Sequence, residues 1–124
     1  MRNPERLEVR KRANELAVLT YAATATLPAS EQRNLVDQMQ RAAVSVGSNI
    51  SEGCGRSTEP SFLAYLEIAM ASATELEYQA GLAIKLGMGD APALRRVVAM
   101  SRRVKVMLTR LTQALRNKNH PRSG

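Results

Sequence analysis

The chain of 124 residues has one cysteine, one histidine and no tryptophan, and each scarcity removes a class of protein. Cys54 alone excludes an internal disulfide and a metal site built from cysteine pairs, and it points to a reducing compartment. The single histidine, His120, sits in a polar tail, so the Glu-x-x-His pairs that build a di-iron site inside a helical bundle are missing. Cys54 therefore has no histidine to activate it and reads as a small loop or core residue. The glycine-rich Gly53-Cys54-Gly55 lacks the preceding strand and the following lysine of a phosphate-binding loop. No nucleophile, phosphate loop or metal set accompanies Glu52, Glu75 or Glu77, so neither catalysis nor a cofactor is expected. One phenylalanine and three tyrosines are too few, and too core-like in position, for a base-stacking platform. No apolar core follows the opening M-R-N-P-E-R-L-E-V-R-K-R, so it is not a signal peptide. The longest uncharged run, residues 16–30, holds three threonines, a proline and a serine and is too short and polar to span a bilayer. A cytoplasmic protein without a membrane partner is expected.

Acidic residues are scarce in one place only. Residues 1–89 hold nine Lys/Arg against ten Asp/Glu, whereas residues 90–124 hold nine Lys/Arg against Asp90 alone, so the net charge of +7 comes from the last segment. Such an asymmetry points to an anionic partner, with nucleic acid ahead of a membrane surface.

The residues that are abundant, Ala, Leu, Arg, Glu, Gln and Met, are helix formers, and alternating strand-like runs are lacking. The periodicity predicts four helices in one domain over residues 1–117, an all-α antiparallel up-down four-helix bundle, with 118–124 as a disordered polar tail. The first helix starts at Pro4 and runs to Thr26, on a stripe of Val9, Ala13, Leu16, Thr20 and Ala23. Ser30 is placed to cap the second, which ends at Gly53 or Gly55 in a left-handed turn. Ser57 or Thr58 caps the third, which reaches Leu86, and Asp90 caps the fourth. The third helix is apolar around most of its circumference, so it is expected to pack between subunits as well as inside the bundle.

Two polar groupings stand out. On the second helix, Arg41, Ser45, Ser48, Asn49 and Glu52 share one side, opposite Met39, Ala43, Val46 and Ile50. Small hydroxyls and an amide in place of long charged side chains suggest a close contact. We expect Arg41 or Arg56 to pair with Glu52 or Glu75, and Ser45 and Asn49 to satisfy groups across a helix or subunit contact. On the fourth helix, Arg95, Arg96, Arg102, Arg103 and Arg110 form a basic ridge opposite the core stripe Val97, Met100, Val104, Leu108, Leu111 and Leu115. With no acidic residue on that face, the ridge is the expected nucleic-acid contact, made to phosphates rather than bases.

The pattern L-P-x-x-E…L-x-x-Q-x-x-R-A-x-x-S-x-x-x-N-I-x-E-G-x-x-R over residues 27–56, followed by I-A-x-x-S-x-x-E-L-E over 68–77, resembles a family of bacterial four-helix-bundle proteins. Some of these are encoded within intervening sequences of 23S rRNA genes. Departures are small: Leu27 replaces an aromatic, Ser51 an alanine, and Ala71 a glycine whose loss would widen the closest helix approach. The resemblance implies a homo-oligomer, a ring-like pentamer, as in related accessory proteins of diversity-generating retroelements, which act with a reverse transcriptase and its RNA. Two functions follow as expectations: RNA binding through the ridge, or a scaffold that docks a protein such as a reverse transcriptase or polymerase.

Overall fold

The computed structural model describes residues 4–119. Its helices are α1 (Pro4–Thr24), α2 (Asp37–Cys54), α3 (Glu59–Lys85) and α4 (Ala91–Asn119). Each packs against the next and α4 closes onto α1, which makes the antiparallel up-down four-helix bundle that the periodicity predicts. The α4 helix continues through Lys118 and Asn119, two residues into the expected tail; His120 and the rest of the tail lie outside the described residues. No helix among the described residues is long and apolar enough to cross a membrane.

The stripes fill one core. Val9, Ala13, Leu16, Thr20 and Ala23 of α1 are buried, as are Met39, Ala43, Val46 and Ile50 of α2. Phe62, Leu66, Ala69, Ala73, Leu76 and Ala80 do the same for α3. On α4 the stripe is shifted at one point: Met100 is only half-buried, and Leu94 and Ser101 lie inside instead. Thr20 is tolerated in the core because its hydroxyl donates to the Leu16 carbonyl at 2.7 Å, so that this buried hydroxyl does not go unpaired.

Capping holds for two helices and fails for one. Thr58 accepts the Ser61 N–H at 3.3 Å, and Asp90 Oδ2 accepts the Ala93 N–H at 3.0 Å. Ser30 caps nothing. The chain turns earlier, where the Pro28 carbonyl accepts the Glu31 N–H at 2.9 Å and opens a 3-10 turn, Ala29–Glu31. A π turn, Gln32–Val36, then leads into α2, and Leu35 and Val36 close that end of the core. The first helix correspondingly stops at Thr24, two residues sooner than expected.

The glycines also act differently from expectation. Gly55 ends α2 in a right-handed conformation, φ −86°, and positive φ occurs only at Gly87 and Gly89 among the described residues. Gly87 ends α3 in a Schellman turn: its N–H donates to the Ile84 carbonyl, and the Met88 N–H donates to that of Ala83. Gly53 serves a close approach, since a Cβ there would lie 2.9 Å from Tyr65 Cβ and 3.0 Å from Phe62 Cδ1. Ala71, by contrast, is exposed and takes no part in that approach, so the substitution for glycine there leaves the bundle interior unchanged. Tyr65 Cβ is anchored to the backbone, so Gly53→Ala must push α2 from α3. Chemical denaturation is expected to register a loss of about 1–3 kcal/mol.

Candidate nucleic-acid interface

The polar residues of α2 divide into two local sets. Ser45 Oγ lies 2.8 Å from Ser72 Oγ of α3, a hydrogen bond that crosses from one helix to the other. Asn49 does not cross the contact; its Nδ2 donates back to the Ser45 carbonyl at 2.8 Å and to Ser45 Oγ at 3.0 Å, so it orients the hydroxyl that does. At the end of α2, Arg56 Nη2 pairs with Glu52 at 3.1 Å and donates to Tyr65 Oη at 2.6 Å, with its guanidinium 4.8 Å from the Tyr65 ring. Arg56 thus ties α2 to the first turns of α3.

Of the pairings expected between Arg41 or Arg56 and Glu52 or Glu75, that of Arg56 with Glu52 forms, and those of Arg41 and Glu75 do not. Arg41 is bound by Asp37, one turn earlier, at 3.1 Å, and stands largely in solvent. Glu75 is exposed and has no ion-pair partner among the described residues. Both follow from geometry: Asp37 lies one helical turn from Arg41 on the same face, and Glu75 points off the outer side of α3. We expect Asn49→Ala combined with Glu52→Ala to cost about 1 kcal/mol, a small loss because the remaining contacts are exposed or intrahelical. Unchanged Tm and oligomer size together with lost nucleic-acid binding would instead make this motif a ligand site.

The α4 arginines are all exposed, yet they are not equivalent. Arg102 Nε pairs with Glu77 of α3 at 2.8 Å, and Lys105 Nζ reaches the other oxygen of the same carboxylate at 3.0 Å. The Arg102 hydrogen bond is the main reason the Glu77 carboxyl is held below the usual carboxylate range, against the opposing effect of its burial. The expectation that no acidic partner meets this face is therefore wrong for Arg102, because the partner comes from the neighbouring helix. Arg116 and Lys118, further along α4, are likewise paired with Glu67 and Glu59. Arg95, Arg96, Arg103 and Arg110 have no carboxylate partner among the described residues. At 100° per residue these four fall within an arc of about 100°, and they span ~22 Å of helix.

Two tyrosines are also placed differently from the sequence reading. Phe62 is buried, but Tyr78 is 69% exposed and Tyr21 49%, because both fall on outward-facing turns. Their positions on separate helices still provide no continuous stacking surface. Among the described residues no group of His, Cys, Asp and Glu has the arrangement of a metal site.

A bundle of four antiparallel helices, basic along one outer helix and braced by a small-polar contact between α2 and α3, is the class of protein these observations define. The chain belongs to the 23S rRNA-intervening sequence protein family, whose model matches residues 5–110. It is similar in structure to a protein of unknown function from the S23 ribosomal protein family of Bacteroides thetaiotaomicron. That likeness has a TM-score of 0.79 at 23% identity and covers 88% of this chain and 98% of the other. None of the curated proteins is similar to this chain.

Proposed function

We propose that this protein is a non-catalytic, oligomeric RNA-binding protein that holds the phosphate backbone through the α4 ridge. The observation that carries this reading is the set of four exposed arginines, Arg95, Arg96, Arg103 and Arg110, on one helix face without a carboxylate partner among the described residues. An arginine left unpaired in this way gains little within the monomer, and its planar fork matches a phosphate. Arg102 contributes less, since contact with a phosphate would compete with Glu77. RNA is preferred over DNA because the family takes its description from 23S rRNA. A cytoplasmic location accords with that target.

Oligomerisation supports the same reading, because a ring, a pentamer on the family resemblance, would repeat the ridge around its axis and multiply weak contacts. Exposed apolar side chains outside the α3–α4 face, Val18 and Tyr21 on α1, Val44 on α2 and Ile68 on α3, are the surface such assembly would cover. The test is charge reversal of Arg96, Arg103 and Arg110, with RNA affinity measured across a salt series. Unchanged affinity and salt dependence would remove the ridge as the site.

A further inference from the structure

Between α3 and α4 lies a groove that borders the ridge at Arg110 and is otherwise built from other residues. Two adjoining depressions, about 490 and 590 Å³, share Glu77, Arg102 and Lys105 and so make one trough. Its α3 wall carries Met70, Tyr78 and Leu82, and its α4 wall carries Val98, Arg102, Val106 and Arg110 at successive turns. The α4 wall thus alternates apolar side chain and cation every four residues, and the trough runs for ~20 Å, about the length of three to four helical turns. Lys85 and Lys105 add positive charge, so four cations surround one carboxylate that Arg102 and Lys105 already neutralise.

Gly81 supplies a second, independent observation. It sits inside α3, where glycine costs about 1 kcal/mol relative to alanine, yet a Cβ added there would meet no atom within 4 Å. Nothing in the bundle requires a glycine at this position. Its effect is to leave the middle of the trough open, beside Tyr78, whose ring is 69% exposed.

We propose that this groove docks an acidic amphipathic helix of a partner protein. The helix would lay apolar side chains, spaced one turn apart, over Leu82, Val98 and Val106, and place its carboxylates against Lys85 and Arg110, the groove cations that Glu77 does not engage. Gly81 is where its backbone comes nearest. A nucleic acid fits this trough less well, because the walls between the cations are apolar and the Tyr78 ring is a lone aromatic.

The experiment uses the full chain and a designed helical peptide of about 18 residues, with leucines at i, i+4, i+7 and i+11 and glutamates on the flanks. Fluorescence anisotropy compares it with a peptide of the same composition in scrambled order and with a version carrying lysine for glutamate. The expected result is affinity for the patterned acidic peptide at least about 10-fold above both controls, weakening as salt rises. Gly81→Leu should abolish that preference while leaving Tm unchanged or higher, which separates a filled groove from a failed fold. Equal affinity for the three peptides, or binding that survives Gly81→Leu, overturns the proposal. So does displacement of the peptide by RNA in a protein charge-reversed at Arg95, Arg96 and Arg103, which line no part of the groove, since that would make the groove a nucleic-acid site. A change of oligomer mass caused by Gly81→Leu overturns it too, since a second copy would then be the occupant. None of these outcomes depends on whether the ridge binds RNA.

Discussion

Replacing Arg96, Arg103 and Arg110 together with alanine is expected to weaken RNA binding on the order of 100-fold at 0.1 M salt, and to lower the slope of log K against log salt by about 2–3. Each phosphate contact releases condensed counterions worth ~0.7–0.9 of slope, and three contacts are removed. The three positions repeat every seven residues, ~10.5 Å apart, so on the proposed reading they would meet successive stretches of one backbone path. None has an ion-pair partner among the described residues, and each is exposed, so Tm should hold within a few degrees. The same experiment on Arg102→Ala is the internal contrast. Its guanidinium is engaged by Glu77, so its removal should change the slope by less than any ridge arginine does. Equal slopes for Arg102→Ala and Arg103→Ala would mean that the Glu77 pair does not withhold Arg102 from RNA.

Gly89→Ala should be the most destabilising single change to the loops, with a loss of about 2–4 kcal/mol and a Tm fall of roughly 10–15 °C. Gly89 has φ +70°, which costs an L-residue about 1–2 kcal/mol, and a Cβ there would come within 2.7 Å of Thr26 Oγ1 and 2.9 Å of Leu27 Cδ1. Thr26 cannot simply move aside. Its hydroxyl donates to the Ala23 carbonyl at 2.6 Å and accepts the Asp90 N–H at 2.9 Å, so it joins the end of α1 to the start of α4. Gly87→Ala is the control, because Gly87 has nearly the same φ, +69°, with nothing within 4 Å of the added carbon. The difference in unfolding free energy between the two variants isolates the packing cost. If the two lose the same stability, the Thr26 contact contributes nothing.

Both predictions turn on neighbours that periodicity cannot reveal. From residue spacing one can see that Arg96, Arg103 and Arg110 share a face and that Arg102 lies close beside them. Spacing along α4 does not say that Glu77, 25 residues earlier, meets Arg102 and not Arg103. That choice depends on how far α3 is rotated and shifted against α4, which the packing of Leu66, Leu76, Val104 and Leu108 settles. The motif on α2 shows the same division. That Ser45 and Asn49 are bonded at a helix contact follows from small polar residues on one face, but that Ser72 is the partner does not. Arg41 is the reverse case, since Asp37 four residues before it was visible in the sequence as a favourable pair.

The sequence alone determined four helices, their core stripes apart from Met100 on α4, the Asp90 cap, a cap at Ser57 or Thr58, the bundle class and the concentration of positive charge on the last helix. These are local properties, set by a 3.6-residue period, by side-chain propensity and by the few residues that satisfy free backbone N–H groups. The tertiary structure decided the rest: the 3-10 and π start of the second helix, the close approach at Gly53, the exposure of Tyr78, the capture of Arg102 by Glu77 and the groove beside Gly81. Each of these depends on the rotation and axial register of one helix against another. Register is fixed by the fit of many side chains across two surfaces, and no single segment of sequence contains both.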